Sequence, residues 1–282
     1  MIDTNTYETW LNRQQESVDL IVPAPLRRLA ALLDHSPGAP CPWTGQCLPP
    51  LGHWLFHLPD TPQSALGPDG HPQRGDFLPP IPLPRRLWAG SRIRFHREIS
   101  LGSEVIRRST VTGIKIKTHG SGKAFITLRH EVLSGHDLLL TEEQDIVYLD
   151  EQRPPASANV IEMSDAQVVR TFTADPAILF RYSALTFNAH RIHYDRHYAT
   201  SVERHPGLVV HGPLIATLLM DQFLRRRPDA QVRTFECRAR VPTFDGLPFQ
   251  LCLNERNGEV GLWAQSTDGV TLMSAALTFG VL

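Results

Sequence analysis

An α+β fold built as two like halves is predicted by three observations on this 282-residue sequence. A segment with helical spacing is followed by a run of strand-like segments. A proline break, "DEQRPPASANV", follows at 150–160. The same order of helix and strands then repeats, which is the signature of segregated helices and antiparallel strands.

In chain order, "APLRRLAALLD" puts Leu26, Leu29, Ala30 and Leu33 at helical spacing. Residues 41–86 hold the densest cluster of the chain's 23 prolines, punctuated by Pro-Pro, Asp-Gly and Gly-Pro pairs. They predict a long irregular loop, and Trp43, Trp54, Phe56 and Phe77 predict that it is packed. The segments "RIRFHREI", "AFITLRHEVL" and "QDIVYL" alternate as strands do and complete a first domain over 1–150. The second domain, 161–282, has its helix in "GPLIATLLMDQFLRRRP". Leu214, Ile215, Leu218, Leu219 and Phe223 make an apolar face. Pro213 suits the first turn, Arg225, Arg226 and Arg227 suit the negative end of the helix dipole, and Pro228 stops it. The strands "QVRTFECRARV", "PFQLCLNE", "EVGLWAQS" and "TLMSAALTFGV" follow. A helix wrapped by a curved antiparallel sheet is the hot-dog arrangement. Two in one chain make a double hot-dog, expected to pack sheet to sheet as a pseudo-dimer.

The balance of 28 basic and 29 acidic residues offers nothing to nucleic acid or an anionic membrane. No apolar run is long enough to span a bilayer. The polar start "MIDTNTYETWLNRQQ" lacks the charged head and apolar centre of a secretory leader. Four cysteines without a C-x-x-C pair read as free thiols in a reducing compartment, so a cytoplasmic location is expected.

The chemistry concentrates in "YSALTFNAHRIHYDRHYA", residues 182–199. It fits three readings. His190, His193 and Asp195 could ligate a metal, although Arg191 between them is poor company for a cation and helical zinc pairs favour H-x-x-x-H. Such a stretch can also be a polar loop satisfying backbone groups over a helix end. The third reading is proton transfer. The stretch is followed by "HGPL", where Gly212 admits close approach and a helix-start amide can hold an oxyanion. A histidine base beside such an amide is the minimum equipment for thioester enolate chemistry.

These residues resemble the hydratase motif of MaoC-like (R)-specific enoyl-CoA hydratases. On this chain the motif histidine falls on His193, the following acid on Asp195, the alanine on Ala199, and the helix-opening pair on His211 and Gly212. Three positions depart: the dyad aspartate is Asn188, the motif asparagine is His190 and the motif proline is Arg191. That altered form is similar to the branch containing itaconyl-CoA and mesaconyl-C4-CoA hydratases and type 2 hydroxyacyl-thioester dehydratases. "LPPLGHWLFHLP", "LGPDGHP", "FLPPIPLPRRLWAG" and "LTEEQDIVY" carry the likeness through the first half, so it covers most of 48–282. The resemblance implies reversible addition of water across a C=C bond conjugated to a CoA thioester, with no cofactor and no metal. His193 would be the base, the Gly212 amide the oxyanion donor, and Asn188 the group that orients water or imidazole. An amide cannot donate the α-proton an aspartate can, so Asp195 or His190 would stand in, or His193 would return the proton itself. A C5 dicarboxylyl-CoA substrate would have its free carboxylate gripped by an arginine, from among Arg191, Arg85, Arg86 and Arg181. Tyr182, His190, Asp195 and His211 complete the expected substrate contacts. One site per chain and a homo-oligomer, a homodimer, are expected. The competing functions are a dehydratase for longer 3-hydroxyacyl thioesters, a hot-dog thioesterase, and a non-catalytic acyl-CoA-binding protein.

Overall fold

The structure, a computed structural model, describes residues 4–36, 41–117, 122–150, 167–256 and 258–281. Most of the 150–160 break therefore lies outside the described residues, and the domain limits drawn at it remain an expectation.

The first half contributes β1 (Gln14–Leu20), α1 (Pro23–Leu32), β2 (Arg85–Phe95), β3 (Glu104–Lys117), β4 (Lys123–Ser134) and β5 (Asp137–Leu149). The second contributes β6 (Gln167–Thr173), α2 (Pro176–Leu185), α3 (Gly212–Arg226), β7 (Ala230–Ala239), β8 (Pro248–Arg256), β9 (Glu259–Ser266) and β10 (Thr271–Val281). All pairings are antiparallel, and the strands run in the order β1-β3-β4-β5-β2-β7-β10-β9-β8-β6. The two halves meet edge to edge through β2 and β7, in register from Gly90↔Arg238 to Arg94↔Thr234. The expected sheet-to-sheet packing is thus a single continuous ten-stranded sheet. Joining at these edges pairs backbone groups that would otherwise be left open.

Helix α3 lies against β7–β10 and β2. Sequence periodicity suggested one apolar face, but every residue from Leu214 to Leu224 is buried, so the sheet and the proline-rich loop sheathe it all round. The loop's contribution is specific. Asp221, fully buried on α3, accepts from Trp43 Nε1 at 2.8 Å, pairs with His35 Nε2 at 2.6 Å and with Arg225 Nε at 2.8 Å. A buried carboxylate with this set of partners pins the 41–86 loop and the end of α1 to the helix of the other half. Asp221→Ala should cost roughly 3 kcal/mol of stability, read as a lowered Tm. Asp221→Asn, keeping part of the hydrogen bonding, should lose less. Helix α1 itself packs on α2 and on the turns of the proline-rich loop.

Several elements were not legible in the sequence. β1 and β6 are the outermost strands. "QQESVDL" leaves Val18 and Leu20 exposed, so no buried face imposes a period. In β3, "EVIRRSTVTGIKIK", charges interrupt the apolar alternation although Val105 and Val111 are buried. β2 begins at Arg85, within residues assigned above to the loop. Helix α2 had a readable start: Asp175 caps it by accepting from Ile178 N at 2.8 Å, with Pro176 in the first turn. Among the described residues no helix is long and apolar enough to cross a membrane.

Candidate active site

Helix α2 ends at Leu185 and delivers the polar stretch into a tight turn. Asn188 N–H donates to Ser183 O at 2.8 Å, and Asn188 Oδ1 accepts from His190 N at 2.9 Å, closing a local Asx turn. A 3-10 turn follows over Arg191–His193. His193 Nδ1–H donates to Val209 O at 2.7 Å. That bond fixes the tautomer in which Nε2 carries the lone pair. Burial pushes the His193 pKa down to about 4, against the opposing pull of the Val209 carbonyl, so the imidazole is neutral near pH 7.

Other imidazoles surround it. The His211 ring, just before α3, stacks on His193 with centroids 3.7 Å apart. His211 Nε2 is 2.9 Å from Ser183 Oγ, and its ring meets the Tyr182 ring at 5.0 Å. His190 stands edge-on to His193 at 5.4 Å. Burial, more than their mutual repulsion, holds His190 and His211 below the usual histidine range.

The first half supplies a fourth ring that the sequence analysis did not place in the site. His71, in "LGPDGHP", lies 4.0 Å from His190. Asp69 Oδ2 accepts from His71 Nδ1 at 3.0 Å, and Asp69 Oδ1 accepts from His71 N at 3.0 Å. Although burial raises the Asp69 pKa, the hydrogen bond and charge of His71 hold the carboxyl below its ordinary range. This loop is docked on the motif stretch. Arg191 N donates to Asp69 O at 2.9 Å and Arg191 Nη1 to Pro68 O at 3.0 Å. Gly70, at φ +87°, lies so close that a Cβ there would sit 1.9 Å from Ala189 O. The advance signals were the Asp-Gly turn pair and the likeness of "LGPDGHP" to the family branch, which give a conformation and a kinship but no partner.

A cleft of about 1400 Å³ opens beside these residues. Tyr182, Asn188, His71, Arg86, Trp88 and Pro213 are among its wall residues. His193 and His211 are both buried, and His211 touches Tyr182 and Ser183 of that wall. Gly212 N–H is the first amide of α3 and has no partner within the helix. The Trp88 ring packs against the Gly212 Cα, where an added Cβ would meet Trp88 Cε3 at 2.6 Å. Trp88 is held in turn: its Nε1 donates to Ser91 Oγ at 3.3 Å, Ser91 Oγ donates to Glu142 Oε1 at 2.5 Å, and Trp54 Nε1 donates to the same carboxylate. A network in the first half therefore sets the approach to the helix start of the second.

The arginines separate by geometry. Arg191 is taken up by Asp195 Oδ2 at 2.7 Å, by Pro68 O and by the Tyr198 ring at 4.2 Å. Asp195 also accepts from Tyr198 N at 2.9 Å, and this bond first, then Arg191, keeps it below the usual carboxylate range. Both hold the loop together. Arg85 binds Glu203 at 2.9 Å and His205 at 2.7 Å, while Arg86, the next residue of β2, lines the cleft. Neighbours on a strand point to opposite faces. Arg107, which sequence reasoning missed, lines the cleft as well.

The metal set considered above does not assemble, because Asp195 faces Arg191. Among the described residues the group that does gather is Asp69, His71 and His190, with donor atoms within 4.8 Å of one another. Both Asp69 oxygens are engaged by His71, and the charges of Arg86 and Arg74 bear on the same ring, which suits a proton-transfer group better than a cation.

Comparison with known proteins identifies the family. Residues 51–245 match the family of hydroxyacyl-thioester dehydratases type 2. The mesaconyl-C(4)-CoA hydratase of Chloroflexus aurantiacus is 43% identical over 274 residues, covering 96% of this chain and 97% of that one. The mitochondrial hydroxyacyl-thioester dehydratase type 2 of Schizosaccharomyces pombe is 30% identical, covering 84% and 89%. In fold alone, a MaoC-like dehydratase from Phytophthora capsici superposes with a TM-score of 0.68 at 13% identity, covering 99% and 98% of the two chains. A Mycobacterium tuberculosis protein described as a double hotdog gives 0.59 at 12%, covering 95% and 96%. This chain is a double hot-dog hydro-lyase and belongs to the hydroxyacyl-thioester dehydratase type 2 family.

Proposed function

We propose that the protein reversibly hydrates a C5 dicarboxylyl enoyl-CoA, itaconyl-CoA or mesaconyl-C4-CoA, to citramalyl-CoA. The observation that carries this reading is the 43% identity, over nearly both whole chains, with a protein named mesaconyl-C(4)-CoA hydratase. The cleft supports it. Arg86 is on its wall beside His71 and Asn188, where a guanidinium can take a carboxylate bidentately. Arg107, His130, Glu142 and Gln144 line it as well, polar groups that a second carboxylate on the substrate could meet.

His193 acts as the base, its Nε2 lone pair set by the Val209 carbonyl. In mesaconyl-C4-CoA, whose C=C is conjugated to the thioester, the π electrons move onto the thioester oxygen as water bonds to the β-carbon, and the Gly212 amide stabilises that charge. Itaconyl-CoA, with its C=C one bond further out, enters the same path once its double bond has shifted into conjugation. Asn188 positions the water: its Oδ1 is used by His190 N–H, which leaves the NH₂ for a ligand. The thioester is the electron sink, so no cofactor enters. Tyr182 and His211 shape the pocket over the acyl group, and the CoA ester is the partner. Dehydration of longer 3-hydroxyacyl thioesters is the second reading, favoured by the family match and by the size of the cleft.

Crotonyl-CoA, mesaconyl-C4-CoA and itaconyl-CoA, each assayed with EDTA present, decide between them. The expected result is hydration of the dicarboxylyl esters with the higher kcat/KM, unaffected by the chelator. Preference for unbranched longer esters supports the dehydratase, thiol release a thioesterase, and binding without turnover a sensor.

A further inference from the structure

The hydratase reading leaves one proton without a donor, since Asn188 stands where an acid is needed. The geometry points to His71, backed by Asp69, as a second catalytic residue: the one that exchanges the substrate's α-proton. This rests on the reading above and adds to it.

Four observations carry the assignment. His71 is among the residues lining the cleft, while His193 is buried. Its Nδ1–H is held by Asp69 Oδ2 at 3.0 Å, which leaves Nε2 for the substrate. A carboxylate behind an imidazole fixes its tautomer and stabilises the imidazolium when it forms. The loop is also locked against the motif, by the Arg191 contacts and by Gly70 on Ala189, so His71 cannot drift from Asn188 and His190.

In hydration, the water oxygen bonds to the β-carbon as His193 takes one of the water's protons. The C=C pair moves onto the thioester oxygen as an enolate. Burial keeps His71 below the usual histidine range, so it rests neutral and takes up a solvent proton at Nε2, balanced by Asp69, which it passes to the α-carbon as the thioester carbonyl re-forms. His71 ends neutral and His193 ends protonated. His193 releases that proton to solvent, so the net change is addition of one water. Dehydration is the reverse, with His71 accepting the α-proton. The acid that the motif lost in the second half is thereby supplied from the first, and the site is incomplete without both.

The test uses the full chain with His71→Gln, which can keep a hydrogen bond to Asp69 but cannot carry a proton, together with His71→Ala and Asp69→Asn. Expected is a loss of kcat by at least roughly 10²-fold in both His71 variants, with KM for the CoA ester within about threefold. Dehydration of an α-deuterated 3-hydroxyacyl-CoA by His71→Gln should express the α-deuterium isotope effect in full, because C–H cleavage is the step impaired. Imidazole added to His71→Ala should restore part of the rate. Asp69→Asn should lose less. A His71→Gln enzyme hydrating within threefold of wild type overturns the assignment. So does a slowed variant whose isotope effect falls toward unity, which would mean a positioning role only. A wild-type protein that hydrates none of the three esters defeats the hydratase reading itself, whatever the variants do.

Discussion

His193→Ala should abolish nearly all hydration, by roughly 10²–10⁴-fold or more, with folding and CoA-ester binding retained. General-base catalysis supplies about that factor. The side chain is buried between His190 and His211, and among the described residues it hydrogen-bonds Val209 O, so truncation leaves that backbone carbonyl to be satisfied by water. His197→Ala is the control. His197 lies in the same stretch but is exposed, with Ser201 Oγ at 3.4 Å, and its loss should change kcat/KM by less than about threefold, as a surface substitution does. The pH profile adds a second check. Burial lowers the His193 pKa to about 4, so the neutral, basic form persists down to that pH. The acid limb of kcat/KM attributable to this group should therefore fall near 4 rather than near 6.5. A fully active His193→Ala enzyme, measured by steady-state hydration, would remove His193 from the mechanism.

How much of this was legible beforehand depends on whether the relevant partners are close in sequence. The motif stretch and "HGPL" could be read because Asn188, His193, His211 and Gly212 lie within one short span, and the Pro213 start and Pro228 stop of α3 are local signals. Arg191 and Asp195, four apart, were read as substrate contacts, but that spacing also lets them bind one another, and the structure pairs them. His71 could not be connected to His190 from sequence, since over a hundred residues separate them and only the docking of two loops brings their rings to 4.0 Å. Likewise, choosing Arg86 over Arg85 required knowing that β2 starts at Arg85, because strand alternation is what sends one to Glu203 and the other to the cleft. The outer strand β1 escaped for a different reason: its apolar residues Val18 and Leu20 are exposed, so they mark no buried face.

Gly70→Ala should inactivate the enzyme without unfolding it. Two effects act together. A side chain at φ +87° is strained, costing on the order of 1–2 kcal/mol. The added methyl would also lie 1.9 Å from Ala189 O and 2.8 Å from Ala189 C. Both contacts are backbone, so no rotamer change relieves them, and the two loops must separate. Separation breaks Arg191 N–H to Asp69 O and Arg191 Nη1 to Pro68 O, and it moves His71 away from His190 and Asn188. A displacement of about 1 Å at a reacting group can cost roughly 10²-fold in rate, which is the loss in kcat/KM expected here. The global fold should survive, because α3, the β2–β7 junction and the Asp221 cluster make no contact through Gly70. Circular dichroism and Tm should therefore change modestly while hydration collapses. Gly102→Ala provides the comparison: that glycine has φ +86° with nothing within 4 Å of the added Cβ, so it carries the same strain without the clash. If Gly70→Ala were no worse than Gly102→Ala in hydration rate, the docking of the proline-rich loop on the motif would have no part in catalysis.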